Sequence, residues 1–177
     1  MKTFFFCIVF VCSLVVNAQI TKGNWLVGGD ATFNNSKVLD NDGNEISRGH
    51  GIRINANFGY FLLNNFAAGL VPRFNYGNTE GRPSSSGYGI GPFTRYYFLK
   101  SEKSINVFAD ANIIYSSSKT EGFSRNHNSS YRIKLGTAIF FNSSVALEFA
   151  VGYHSANFST VTNTIELGFG FQIHLEK

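Results

Sequence analysis

Thr164-Ile165-Glu166-Leu167-Gly168-Phe169-Gly170-Phe171-Gln172-Ile173-His174-Leu175 is the stretch that decides the fold. Every odd position is a large apolar residue, and every even position is glycine or polar. A period of two places these sets on opposite faces of an extended strand, whereas a helix would mix them. The run is slightly longer than the ~9–11 residues with which a tilted strand crosses a bilayer.

Working outward, the same alternation recurs and predicts strands over 24–33, 52–61, 66–77, 87–98, 105–116, 130–140, 145–154 and 164–175. In the second of these, Ile52, Ile54, Ala56, Phe58 and Tyr60 oppose Arg53, Asn55, Asn57 and Gly59. The weakest contrast lies over 87–98. Long polar segments (34–51, 78–86, 117–129 and 155–163) alternate with short ones (62–65, 99–104 and 141–144). The expected fold class is therefore all-β: an eight-stranded antiparallel up-and-down transmembrane β-barrel, with long extracellular loops, short periplasmic turns and periplasmic termini. Pro72 and Pro92 fall inside strands, where each deletes a ladder donor, so a bulge or local kink is expected at each.

Aromatic residues decide which face meets lipid. On the apolar face, Phe33, Tyr76, Tyr88, Tyr115, Tyr131 and Tyr153 stand at the long-loop ends, and Trp25, Tyr60, Phe66 and Phe98 near the short-turn ends. Two rings of amphipathic side chains at headgroup level form the expected aromatic girdle. The other face carries Asp30, Arg53, Arg73, Arg95, Asp110, Arg132, Lys134, Glu148 and Glu166. A soluble β-sandwich or lipocalin-like barrel would reverse these faces. The Gly, Asn and Ser content of the charged face, the placement of the tyrosines and the N-terminal segment favour the membrane barrel.

The composition agrees. The chain has 177 residues with 19 Phe, 8 Tyr and 1 Trp, against 15 Lys or Arg and 11 Asp or Glu. Mean hydropathy is near zero and no internal apolar run approaches the ~18 residues of a membrane helix, which excludes a helical membrane bundle. The small positive charge is dispersed and excludes a nucleic-acid partner. Residues 1–18 read as a secretory signal peptide: Met1-Lys2, an apolar run from Phe4 to Val16, then small Val16 and Ala18 before a cut ahead of Gln19. A lipoprotein anchor at Cys12 is disfavoured because Phe10-Val11 precede it. Cys7 and Cys12 leave with that segment, so 19–177, the barrel domain, has no thiol for disulfides, metal or nucleophilic catalysis.

Phe58-Gly59-Tyr60-Phe61-Leu62-Leu63-Asn64-Asn65-Phe66-Ala67-Ala68-Gly69-Leu70 and Gly91-Pro92-Phe93-Thr94-Arg95-Tyr96-Tyr97-Phe98 resemble the strand–turn–strand and Pro-Phe-x-Arg-Tyr-Tyr-Phe segments of the small outer-membrane protein β-barrel domain family. These are porin-like eight-stranded barrels of the OmpA/OmpX type. The resemblance runs from Trp25 to Leu175, with Asn64-Asn65 where the family's turn more often has Asp-Asn. Its motifs are structural and carry over no catalytic residue. It implies a Gram-negative cell envelope, outer-membrane lipid and the barrel insertion machinery as partners.

An eight-stranded interior is just wide enough to be filled by side chains. Five lumen cations nearly balance four anions, so the expected interior is a salt-bridge network, because unpaired charge in a narrow dry lumen is costly. A narrow ion-selective channel is the alternative. A lipid-A-modifying enzyme is less favoured: His154 and Glu166 share the lumen face, Ser155 points to the other, and residue 156 is Ala where a deacylase-like His-x-Ser would need Ser. No cofactor or metal is expected. Asp40-Asn41-Asp42-Gly43-Asn44-Glu45 reads as a hairpin turn more than a calcium loop, His50, His127 and His154 lack ligand spacing, and the sequons at Asn34, Asn128, Asn142 and Asn157 follow from composition. The expectation is a monomeric, non-catalytic barrel serving envelope structure or surface interaction, with an extracellular ligand that the sequence leaves open.

Overall fold

The computed structural model describes residues 20–39, 43, 45–157 and 161–176. The signal-peptide segment and most of the acidic 40–45 stretch lie outside them. Eight strands follow in chain order: β1 (Trp25–Leu39), β2 (Glu45–Leu63), β3 (Phe66–Thr79), β4 (Arg82–Tyr97), β5 (Ile105–Thr120), β6 (Asn126–Phe140), β7 (Val145–Asn157) and β8 (Val161–Leu175). Each pairs with its sequence neighbour, and β8 closes on β1 to complete an antiparallel barrel. Closure over Trp25–Asp30 and Gly170–Leu175 pairs part of the sheet edges that a chain this rich in exposed apolar strand would otherwise present.

The two faces separate as the alternation requires. Phe58, Leu70, Ile90, Ile113, Leu135 and Leu167 project outward and are exposed, together with most of the other large aliphatics of the strands. Asn55, Asn57, Arg95, Asp110, Glu148 and Gln172 are buried inside. An exterior with this much apolar surface suits a hydrocarbon surrounding.

The strands correct the expectation of long loops. Most of 34–51, 78–86, 117–129 and 155–163 is strand: β1 and β2 pair to Leu39↔Glu45, and β5 pairs β6 to Ser118↔Asn126. Hydrogen bonding of the ladder does not need apolar side chains, so the strands continue as Ser- and Asn-rich ribbon beyond the apolar band. Periodicity registers only the half-buried part.

Of the bulge or local kink expected at each proline, no bulge is seen, but the ladder is locally interrupted. Pairing of β2 with β3 lapses between Asn55↔Arg73 and Phe58↔Leu70, and that of β4 with β5 between Ile90↔Tyr115 and Phe93↔Asn112, each resuming in unchanged register. Pro72 and Pro92 sit in these gaps and still pair on their other side, with Ile90 and Leu70. A missing donor therefore costs a rung, but closure on both flanks holds the register. The shifts that do occur lie at strand ends, between Val38/Leu39, Phe61/Leu63 and Gly77/Thr79.

Candidate functional site: the barrel interior

Register assembles the interior. Asp30, Asn55 and Arg73 lie on directly opposed rungs of β1, β2 and β3. Their side chains meet in sequence: Asn55 donates to Asp30 at 2.6 Å, and Arg73 Nε donates to Asn55 Oδ1 at 2.7 Å. Arg95, Asp110 and Lys134 form the equivalent row on β4, β5 and β6. Arg95 Nη2 is 3.1 Å from Asp110, and its Nη1 meets Glu148, which also accepts from Gln172 at 3.4 Å. Lys134 Nζ spans the two rows, 3.4 Å from Asp30 and 3.9 Å from Asp110.

Nearer the Ser- and Asn-rich strand extensions, Glu166 gathers Arg53 at 3.0 Å, His154 at 3.6 Å and Arg132 at 3.9 Å, and Arg132 also reaches Asp30 at 3.4 Å. All nine charged residues named from the sequence thus turn inward. Arg73 departs from the expected ion pairing. It donates to Asn55 and, at 3.1 Å, to the Ser130 hydroxyl, because its row places an amide beside it instead of a carboxylate. The network is continuous from Arg53 through Glu166, Arg132, Asp30 and Lys134 to Asp110, Arg95 and Glu148. Such pairing offsets the desolvation that would make each charge alone prohibitive.

Below this network lies a layer the alternation did not isolate. Leu26, Phe61, Phe93, Tyr97, Phe108 and Phe140 occupy lumen positions near the short-turn ends and are almost wholly buried. His174 is packed edge-on between Phe61 and Tyr97, with centroids 5.5 and 5.9 Å away. The Tyr97 hydroxyl lies 3.3 Å from His174 Nε2 and receives a hydrogen bond from Arg95 at 3.3 Å. Ile20 joins the same cluster from ahead of β1. Phe93 and Tyr97 explain the weak contrast of 87–98: both faces of that strand are apolar there, one toward the lumen. The available signal was a set of aromatics at lumen parity confined to one end of the strands.

The ten aromatic-ring residues all project outward. Phe33, Tyr76, Tyr88, Tyr115, Tyr131 and Tyr153 are exposed at one level, with Tyr131 and Tyr153 centroids 6.1 Å apart. At the other level Trp25 meets Tyr60 edge-on at 5.2 Å, Phe98 meets Tyr96 likewise, and Phe66 is half-buried. His154 and Ser155 are consecutive and both buried, at 7% and 6% exposure. Among the described residues no three His, Asp or Glu side chains converge as a metal-binding group would require.

The family model for the outer membrane protein beta-barrel domain matches residues 4–174. The chain belongs to that family. Membership places it with outer-membrane barrels, in agreement with the apolar exterior and polar interior described above. Among solved structures, Neisserial surface protein A (NspA) is similar at 18% identity and TM-score 0.56, covering 86% of this chain and 97% of that one. OprG from Pseudomonas aeruginosa is similar at 14% identity and TM-score 0.57, over 90% of this chain and 100% of that one. The N-terminal β-barrel domain of Pseudomonas aeruginosa OprF is similar at 11% identity and TM-score 0.55, over 87% and 98% respectively. At these identities the likeness is one of fold. No curated protein matches the chain.

Proposed function

We propose that this family member is a non-catalytic outer-membrane protein whose interior is sealed to diffusion, serving envelope structure and surface contact. The observation that carries this reading is the double closure of the lumen: an ion-paired layer from Arg53 to Glu148 stands above a floor of Phe61, Tyr97, Phe108, Phe140 and His174. A diffusion pathway would have to break buried ion pairs and displace packed rings together. The two aromatic levels are the girdles at the membrane boundaries. The Ser- and Asn-rich strand extensions above the upper girdle are the surface available to an extracellular ligand. The chain works as a monomer, inserted by the barrel insertion machinery after removal of 1–18, which N-terminal sequencing of the envelope-extracted protein checks by starting at Gln19.

Planar-bilayer recording tests the sealed interior. Purified protein should give no reproducible conductance steps. Steady steps of uniform size would favour the narrow channel instead. The non-catalytic reading is supported by His154, which is committed to Glu166 inside the barrel. Lipid A mass should be unchanged when the protein is overproduced, and an altered acyl pattern would overturn the non-catalytic reading.

A further inference from the structure

The wall of the barrel carries a hollow of about 820 Å³ at the Ser- and Asn-rich ends of β4, β5 and β6. Two rows of directly opposed residues line it: Ile90, Tyr115 and Ser129, and beyond them Tyr88, Ser117 and His127. Odd positions on β5 and β6 share the outward parity of Ile113 and Tyr131, and no register shift intervenes. Tyr88, Ile90 and Tyr115 are each more than half exposed. The hollow therefore opens outside the barrel and not into the lumen. Its shape follows from side-chain size. Ser117 stands between Tyr88 and His127, and Ser129 between Tyr115 and Asn157, so short side chains are flanked by long ones.

Tyr88 and Tyr115 belong to the upper aromatic level, with Ile90 on its apolar side and His127 on its polar side. Two groups here have unused hydrogen-bonding capacity. Ser117 Oγ is shut off from solvent and has no partner. Arg125 Nη1 donates to the Tyr88 hydroxyl at 2.6 Å, and its guanidinium carbon lies 5.5 Å from the centre of that ring. A guanidinium has five N–H donors. The phenol takes one and holds the others at the rim of the hollow, so little ordering is left to be lost on binding.

Charge on this side of the barrel is uneven. Residues 82–90 and 115–131 carry Arg82, Lys119 and Arg125 against Glu121 alone, and neither Asp nor Glu lines the hollow. Among the described residues Arg125 forms no ion pair. Cations at headgroup level attract anionic lipid. A bare phosphate would leave most of the hollow unfilled, and a zwitterionic head would bring its own cation against Arg125. A phosphorylated sugar complements every part: the phosphate accepts from Arg125, the hydroxyls meet Ser117, Ser129 and Asn157, and the apolar face of the ring lies on Tyr115.

Resting on the headgroup level proposed above for the upper girdle, we propose that this hollow binds the phosphorylated glucosamine head of a lipid-A-type glycolipid from the surrounding membrane. The acyl chains descend past Ile90 along the apolar band. The site is a fixed lipid position on the outer wall, so it stands or falls independently of whether the lumen is sealed.

The test titrates the refolded protein in detergent micelles with diphosphoryl lipid A, followed by native mass spectrometry. Saturable binding of a single lipid is expected. Arg125→Gln should weaken it about tenfold, whereas Lys103→Gln, an equal loss of charge in the turn after β4, should leave it unchanged. Lipid A stripped of its phosphates should bind the parent about tenfold more weakly and no longer distinguish Arg125→Gln. Ser117→Phe fills the hollow without altering charge and should weaken both forms of the lipid. No saturable binding, equal affinity with and without phosphates, equal loss from Lys103→Gln, undiminished binding to Ser117→Phe, or displacement of the lipid by inorganic phosphate overturns the proposal. The level of the hollow is read separately by Tyr88→Trp in a Trp25→Phe background, quenched by brominated lipids in vesicles. Failed lipid binding with strongest quenching from shallow bromines overturns this site and leaves the girdle standing, and strongest quenching from deep bromines overturns both.

Discussion

Arg95 lies with its guanidinium carbon 4.3 Å from the centre of the Phe108 ring while holding Asp110 and Glu148. One side chain thus joins the two layers of the interior, stacking on the apolar floor and neutralising two carboxylates above it. Arg95→Met keeps much of the packing and leaves both carboxylates buried without their cation, at a cost of about 3–5 kcal/mol. Urea-dependent unfolding in lipid vesicles, read as loss of the folded band on unheated gels, should show it. Arg95→Met combined with Asp110→Asn and Glu148→Gln should recover most of the loss. A triple variant no more stable than Arg95→Met would mean that the charges are not what matters there.

The floor itself can be opened. Phe61→Ala, Tyr97→Ala and Phe108→Ala together remove three wholly buried rings, two of them against His174 and the third against Tyr97. Each truncation costs about 3–5 kcal/mol, so the variant should be recorded under conditions where refolding is verified. Conductance steps absent from the parent are expected in planar bilayers. A refolded variant as silent as the parent would show that the ion-paired layer alone is enough to block the lumen.

Two inward glycines should behave oppositely. A Cβ on Gly91 would lie 1.7 Å from the Ile113 carbonyl oxygen, whereas one on Gly168 meets open space. Gly91→Ala must push β4 from β5 and should cut the refolded fraction sharply. Gly168→Ala should refold as the parent does. Far-UV circular dichroism and protease resistance in vesicles distinguish the two.

Asn65 turns the chain between β2 and β3 with φ of 68°. Its side-chain amide donates to the carbonyls of Tyr97 and Leu99, at 3.0 and 2.8 Å. Asn65→Ala loses both bonds and adds left-handed strain, for a destabilisation of about 2–4 kcal/mol. Asn65→Gly loses only the bonds and should fall about midway. Equal stability of the two variants in urea titrations would rule out strain at this turn.

Trp25 is the single tryptophan and is half exposed beside Tyr60. If the lower girdle sits at the headgroups, lipids brominated near the glycerol should quench its fluorescence more than lipids brominated near the acyl terminus. Stronger quenching from the deep bromines would displace the girdle from the interface.

Much of this was legible from residues alone. The alternation in 164–175 and its repeats marked out eight strands, their closure order and the inward orientation of Asp30, Arg95, Glu148 and the rest. It could not distinguish a lumen aromatic such as Phe61 or Tyr97 from strand-end noise. It also took the polar extensions beyond Phe33 and Ser116 for loops, because a ladder needs backbone donors and acceptors and is indifferent to side-chain polarity.

Sequence by itself determined which side chains share a face, since a period of two is a property of the extended backbone at every residue. Only the closed barrel decided which of the facing charges meet. Arg95 finds two carboxylates and Arg73 an amide and a hydroxyl, and the β1–β8 seam is paired to Asp30 and parted above it. These are consequences of register and curvature, which bring residues as far apart as Arg53 and Glu166 within 3.0 Å, and no local pattern along the chain encodes them.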